Sequence, residues 1–220
     1  MALKMKDFTF HTPRPLPVIL LADVSGSMEA DGKIDALNLA IEEMLKDFSE
    51  EEQARNAIVV GIITFGGDTA VVYTPMTPVG EIKWKPLVAN GRTPLGHALE
   101  LALDMIEDRN VIPGRAYRPT VILVSDGQAT DDWENALERF LLSERASKAY
   151  RFSMAIGEDA NMDILQAFCE DSAPQVFKAN DARGIRQFFR WVSMSVSTRS
   201  QSINPDSVAI SPLDIDKFEF

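Results

Sequence analysis

Three short apolar runs constrain this chain most. They are Val18 to Ala22 (VILLA), Asn56 to Phe65 (NAIVVGIITF) and Thr120 to Val124 (TVILV). Continuous apolar residues without alternation mark strands buried on both faces, as in a parallel sheet covered by helices. The segments between them have a different rhythm. From Lys33 to Phe48, apolar residues fall at Ile34, Leu37, Ile41, Met44, Leu45 and Phe48, spacings of three and four that predict an amphipathic helix. Leu95 to Ile106 repeats the pattern, as do Trp133 to Lys148, a short stretch from Met162 to Phe168, and a last helix from about Ala182 to Val196. Arg151 to Ile156 predicts a further strand, and Gln175 to Lys178 a weak edge strand. Gly66-Gly67-Asp68 reads as a tight turn into Thr69 to Tyr73, a hairpin whose second strand is antiparallel. Residues 75 to 94, rich in proline and glycine, read as irregular.

Strands alternating with helices imply βαβ units. The expected fold class is α/β: a doubly wound, mostly parallel six-stranded sheet with one antiparallel edge strand and helices on both faces. The expected division is an N-terminal arm over 1–14, one domain over 15–197 and a C-terminal tail over 198–220. Phe8 and Phe10 near the start echo Phe218 and Phe220 at the end. The termini therefore either pair as a small antiparallel ribbon or fray.

Composition removes several functions. A net charge of -11 argues against nucleic-acid binding, which needs clustered Lys and Arg, and against anionic membranes. The one cysteine, Cys169, excludes an intrachain disulfide and reads as a small buried residue. The start, MALKMKDFTF, lacks a signal-peptide core, and no apolar run is long enough to span a bilayer, so the expectation is a cytoplasmic chain.

The first run ends in Asp23-Val24-Ser25-Gly26-Ser27. In doubly wound sheets ligands bind outside the carboxyl ends of the strands. Asp23 ends the first strand there, with Ser25 and Ser27 in the loop beyond, and Asp126 closes the Thr120 strand. Thr93 precedes Pro94 and a helix, the pattern of an N-cap followed by proline at the first helical position. That helix must descend for the Thr120 strand to rise, so Thr93 reaches the same edge. Two carboxylates and three hydroxyls, with no histidine or cysteine, suit Mg²⁺, with Mn²⁺ as the alternative, rather than zinc or copper. Taken singly, each piece is also an ordinary polar loop, helix cap or turn.

The combination Asp23-Val24-Ser25-Gly26-Ser27, Gly91-Arg92-Thr93-Pro94 and Ser125-Asp126-Gly127 resembles the metal-ion-dependent adhesion site (MIDAS) of von Willebrand factor A domains. The resemblance implies that Ser25 and Ser27 coordinate the ion directly, with Asp23, Thr93 and Asp126 bound directly or through water. It implies a binding module whose ion accepts a Glu or Asp from a partner protein. TPRPLPVILLADVSGSM and GRTPLGHAL look most like the cytoplasmic bacterial branch associated with tellurium resistance and stress response, whose members accompany protein kinases and phosphatases. The cysteine-bearing C-terminal metal module of some relatives is absent from this sequence.

Other functions fit less well. A serine-dependent hydrolase with His97 as base lacks the G-x-S-x-G elbow, and His97 lies four residues past Thr93 on a helix, while the other histidine, His11, lies in the arm. No P-loop or G-x-G-x-x-G follows a strand, and an EF-hand reading from Asp23 meets Met28 and Ile34 where glycine and glutamate are required. The reading expects no enzyme. An ion that serves only stability, with partners bound elsewhere, stays open. Trp84, between Lys83 and Lys85, is either an interface anchor or packing for the irregular segment, and Asp131 and Asp132 read as solvating a helix start. The oligomeric state is not legible.

Overall fold

The structure, a computed structural model, describes residues 13–51, 56–126, 128–169 and 176–209. Six strands form one sheet: β1 (Pro15–Asp23), β2 (Ala57–Gly66), β3 (Thr69–Pro78), β4 (Thr120–Ser125), β5 (Tyr150–Ile156) and β6 (Phe177–Ala179). Their order is β3-β2-β1-β4-β5-β6, and only the β2–β3 pair is antiparallel. This is the expected doubly wound class. Its topological switch lies between β1 and β4, where the chain leaves one half of the sheet for the other.

The helices are α1 (Lys33–Ser49), α2 (Leu95–Glu107), α3 (Trp133–Leu142), α4 (Met162–Cys169) and α5 (Ala182–Gln201). Strand β1 shows why its run is unbroken. Leu16, Val18, Leu20 and Ala22 enter a core with α1 and α5, while Ile19 and Leu21 enter a second core with α2, α3 and α4. Alternate side chains leave opposite faces of a strand, so a strand between two helical layers must be apolar throughout.

The sequence expectations need adjusting in three places. Strand β3 continues through Pro78, so the irregular segment begins later than residue 75. The helix expected from Trp133 to Lys148 stops at Leu142. There Ser143 turns extended and its hydroxyl accepts from the Ala146 amide 3.1 Å away, starting a separate 3₁₀ turn over Ala146–Lys148. Helix α5 passes beyond residue 197 to Gln201. Arg199, 1% exposed, holds the following 3₁₀ turn, Pro205–Ser207, by donating to the Pro205 carbonyl and pairing with Asp206. The Phe8–Phe10 and Phe218–Phe220 segments of the ribbon expectation lie outside the described residues. Among the described residues, no helix is long and apolar enough to cross a membrane.

Trp84 is half-buried and packs on the α1/α5 core, edge-on to Tyr73 with ring centroids 6.2 Å apart. Packing, rather than free display, is what its environment shows.

Candidate metal centre

The site starts as a local turn. Beyond β1, the Ser25 amide donates to Asp23 Oδ1 at 2.8 Å, a side-chain-to-backbone turn that a short aspartate favours. The turn directs Ser25 and Ser27 to the same side, their hydroxyl oxygens 3.0 Å apart. Ser27 donates across the sheet edge to Asp126 Oδ1 at 2.7 Å, and Ser125, the last residue of β4, donates to Asp23 Oδ2 at 2.5 Å. Four of the five expected residues, Asp23, Ser25, Ser27 and Asp126, are thus joined in one continuous hydrogen-bonded network at the switch point. Asp23 and Asp126 are buried, whereas Ser27 is exposed, so the network opens to solvent through Ser27.

Thr93 is placed beside this network by backbone pairing. Gly26 donates to the Gly91 carbonyl at 2.9 Å, and Asn90 to the Val24 carbonyl at 2.6 Å. Thr93 itself is buried, with its amide donating to Thr130 Oγ1 at 3.2 Å and its carbonyl accepting from the Thr130 amide at 2.9 Å. Its hydroxyl is not hydrogen-bonded to the other four residues. The expectation that Thr93 caps α2 needs correcting, because Pro94 occupies the N-cap position and the helix begins at Leu95. The capping side chain comes from a distant loop: Asp131 accepts from the Gly96 and His97 amides at 2.9 and 3.0 Å. Asp131 therefore caps α2, more than the solvating role the sequence suggested, and Thr93 Oγ1 has no capping duty.

Close approach of the loops depends on glycine. Gly67 and Gly91 pair at a bridge, both with positive φ, and a Cβ on Gly91 would lie 2.5 Å from Gly67 Cα. No side chain fits on Gly91, so the loop that carries Thr93 closes against the β2–β3 turn only with glycine at that position.

The electrostatics are unbalanced. Burial pushes the Asp23 carboxyl up to about 6; hydrogen bonds from Ser125 and Ser25 pull it back part of the way, and the Asp126 charge raises it further. Two close carboxylates in a low-dielectric edge call for a cation. The structure supplies one that sequence reasoning missed: Lys33 Nζ sits 2.7 Å from Asp126 Oδ2. A signal existed. Lys33 is the first residue of α1, where positive charge opposes the helix macrodipole and needs another reason to be present. Ser125, whose hydroxyl holds Asp23, has no comparable signal of its own in the sequence.

The donor set fits a small hard ion. Oxygens about 2.1 Å from an octahedral magnesium stand about 3.0 Å apart at neighbouring vertices, the Ser25–Ser27 separation. That distance is equally a normal hydroxyl–hydroxyl hydrogen bond. Among the described residues, no three His, Cys, Asp or Glu side chains converge, so the hydroxyls would have to supply part of any coordination shell. His97 is exposed, and its Nδ1 lies 2.6 Å from Thr69 Oγ1, engaged away from the serines. No base faces Ser25 or Ser27 from that side chain.

An uncharacterized protein of Mycobacterium tuberculosis is 32% identical over 116 residues, 51% of this chain but 18% of that protein. Among solved structures, a von Willebrand factor type A protein from Catenulispora acidiphila superposes with a TM-score of 0.62 at 18% identity, over 84% of this chain and 43% of that one. Proximal thread matrix protein 1 of the mussel byssus, in a form with a zinc-occupied MIDAS motif, gives 0.60 at 17% identity, over 86% of this chain and 46% of that one. At such identities the likeness concerns the fold, and the chain spans less than half of either solved neighbour and under a fifth of the mycobacterial protein. The family model for the von Willebrand factor type A domain matches residues 18–128, half of the 220-residue chain, and this protein belongs to that family.

Proposed function

We propose that this chain is a divalent-metal-dependent protein-binding module, a scaffold or adaptor rather than an enzyme. Asp23, Ser25, Ser27, Thr93 and Asp126 would hold Mg²⁺, or Mn²⁺, and a Glu or Asp of a partner protein would complete the site. The observation that carries this is the linked run Asp23–Ser25–Ser27–Asp126 at the β1/β4 switch, opening to solvent through Ser27. When bound, the ion would supply a positive centre for an incoming carboxylate. The chain's own residues do the rest. Ser125 and the Ser25 amide fix both oxygens of Asp23. The buried carboxylates set the charge, and the Gly67–Gly91 contact keeps the Thr93 loop close. The zinc in the mussel protein's MIDAS motif supports a divalent ion without selecting magnesium.

The same proposal places the chain in the cytoplasm of a bacterium, in a tellurium-resistance or stress-response system with a kinase or phosphatase as the partner. Its support is the resemblance of TPRPLPVILLADVSGSM and GRTPLGHAL to that branch. The alternative, an ion that only stabilises the loops, draws on the proximity of Asp23 and Asp126. A pull-down from native lysate separates the two. It compares Mg²⁺ with EDTA, and wild type with Asp23→Ala and Thr93→Ala. A partner retained only by wild type with Mg²⁺ is the expected result. The same proteins bound under every condition would leave the ion a structural role at most.

A further inference from the structure

We propose that Lys33 is a sixth residue of this site: its ammonium pairs with Asp126 and competes with a divalent ion there, limiting the metal affinity of the site. The inference rests on the metal-binding reading above. Three observations carry it. Lys33 Nζ is 2.7 Å from Asp126 Oδ2, while the other oxygen of that carboxylate accepts from Ser27, so the ammonium occupies the oxygen that the hydroxyl network leaves open. The Asp126 side chain is fully buried and that of Lys33 is 21% exposed, so the pair is screened by little water. The path of the lysine is also built in. Its Nζ would lie 3.4 Å from a Cβ at Gly157, a glycine of positive φ at the end of β5. The end of the side chain therefore lies beside Gly157, just beyond β5.

The sign of the effect follows from charge. Asp126 and a divalent ion attract each other, but the ammonium repels the ion at close range and must share or yield its oxygen. Two carboxylates and one ammonium leave one net negative charge at the site. With a divalent ion bound, the balance becomes one net positive charge, which a partner carboxylate neutralises. Without Lys33 the loaded site would be neutral before the partner arrives. Lys33 thus lowers affinity for the ion and raises the preference of the loaded site for an anionic group.

The test uses the full chain, Mn²⁺ as the probe in isothermal titration, and thermal denaturation in EDTA. Lys33→Met removes the charge at similar length, Lys33→Gln is a second neutral variant, and Lys33→Arg keeps the charge. The expected result is at least tenfold tighter Mn²⁺ binding for the neutral variants, about 1.4 kcal/mol, with a melting temperature in EDTA below wild type. Lys33→Arg should stay within about threefold of wild type. Equal or weaker Mn²⁺ binding by the neutral variants would overturn the role of Lys33 while leaving the metal reading intact. An unchanged melting temperature in EDTA would also overturn it. If neither wild type nor the variants take up Mn²⁺, the metal reading itself fails and the proposal falls with it.

Discussion

Asparagine at position 23 should make the metal-free protein more stable, although Asp23 is a proposed metal ligand. Asp23 is 0% exposed, and burial raises its carboxyl from 3.8 to about 6. The folded state therefore holds that proton to higher pH than the unfolded chain does. Where the unfolded state binds fewer protons, stability falls as pH rises. The cost of ionising Asp23 is absent below about pH 3.8, grows between there and about 6, and is constant above. A difference of about 2.2 pK units corresponds to about 3 kcal/mol. Asp23→Asn removes this cost and keeps an acceptor for the Ser25 amide. Its new amide faces Ser125, whose hydroxyl must turn from donor to acceptor, offsetting about 1 kcal/mol. The net expectation in EDTA at pH 7.5 is a gain of about 2 kcal/mol, or about 4–8 °C in melting temperature for a chain of this size. Differential scanning calorimetry of both proteins from pH 4 to 7.5 checks it, and taking the difference between them cancels the other titrating groups. The advantage of the variant should shrink below pH 6, vanish between about pH 4 and 5, and reverse below that. Added Mg²⁺ should stabilise wild type and leave the variant nearly unchanged. A variant less stable than wild type in EDTA at pH 7.5, or a difference independent of pH, would refute the reasoning.

Other substitutions probe the supports of the fold and site. Arg199 donates to Thr120 Oγ1 at 2.6 Å and to the Arg118 carbonyl at 2.9 Å, and lies over the Tyr150 ring. Arg199→Met should lower stability by about 2–4 kcal/mol in urea titration, because it strands buried acceptors; a loss below about 0.5 kcal/mol would contradict that account. Gly91→Ala, at φ +65 and with no room for a Cβ, should cost at least about 2 kcal/mol and weaken Mg²⁺ binding together, read by calorimetry and titration. Burial also pushes the Cys169 thiol up, and it sits 2.9 Å from Ser153 Oγ, so Ellman's reagent should label it only after unfolding.

Much of the architecture was legible because it depends on local pattern. An unbroken run such as Val18 to Ala22 is the pattern of a strand sandwiched between helices, and the three-and-four spacing from Lys33 to Phe48 matches α1 to within a residue. The convergence of Asp23 and Asp126 followed from chain order, since both lie at carboxyl ends of strands that a doubly wound sheet makes neighbours. What escaped depended on contacts between distant segments. Asp131 caps α2 from 35 positions beyond Gly96, so the local Thr93-Pro94 signal pointed to the wrong cap. Lys33 meets Asp126 across 93 positions, and Ser125 meets Asp23 across 102. The break after Leu142 was hidden because Ala146 continues the apolar spacing while Ser143 leaves the helix to cap the next turn. Side-chain hydrogen bonds of this kind leave no periodic trace in a single sequence.

Whether hydroxyls and carboxylates from three loops enclose one divalent ion is decided by Mn²⁺ anomalous scattering. Crystals grown with Mn²⁺ should show one strong anomalous peak within direct coordination distance of the Ser25 and Ser27 hydroxyls, between Asp23 and Asp126. The same peak should be missing from crystals of Ser27→Ala. No peak at the β1/β4 edge of the wild-type protein, or a peak that survives unchanged in Ser27→Ala, would show that these residues do not hold the ion.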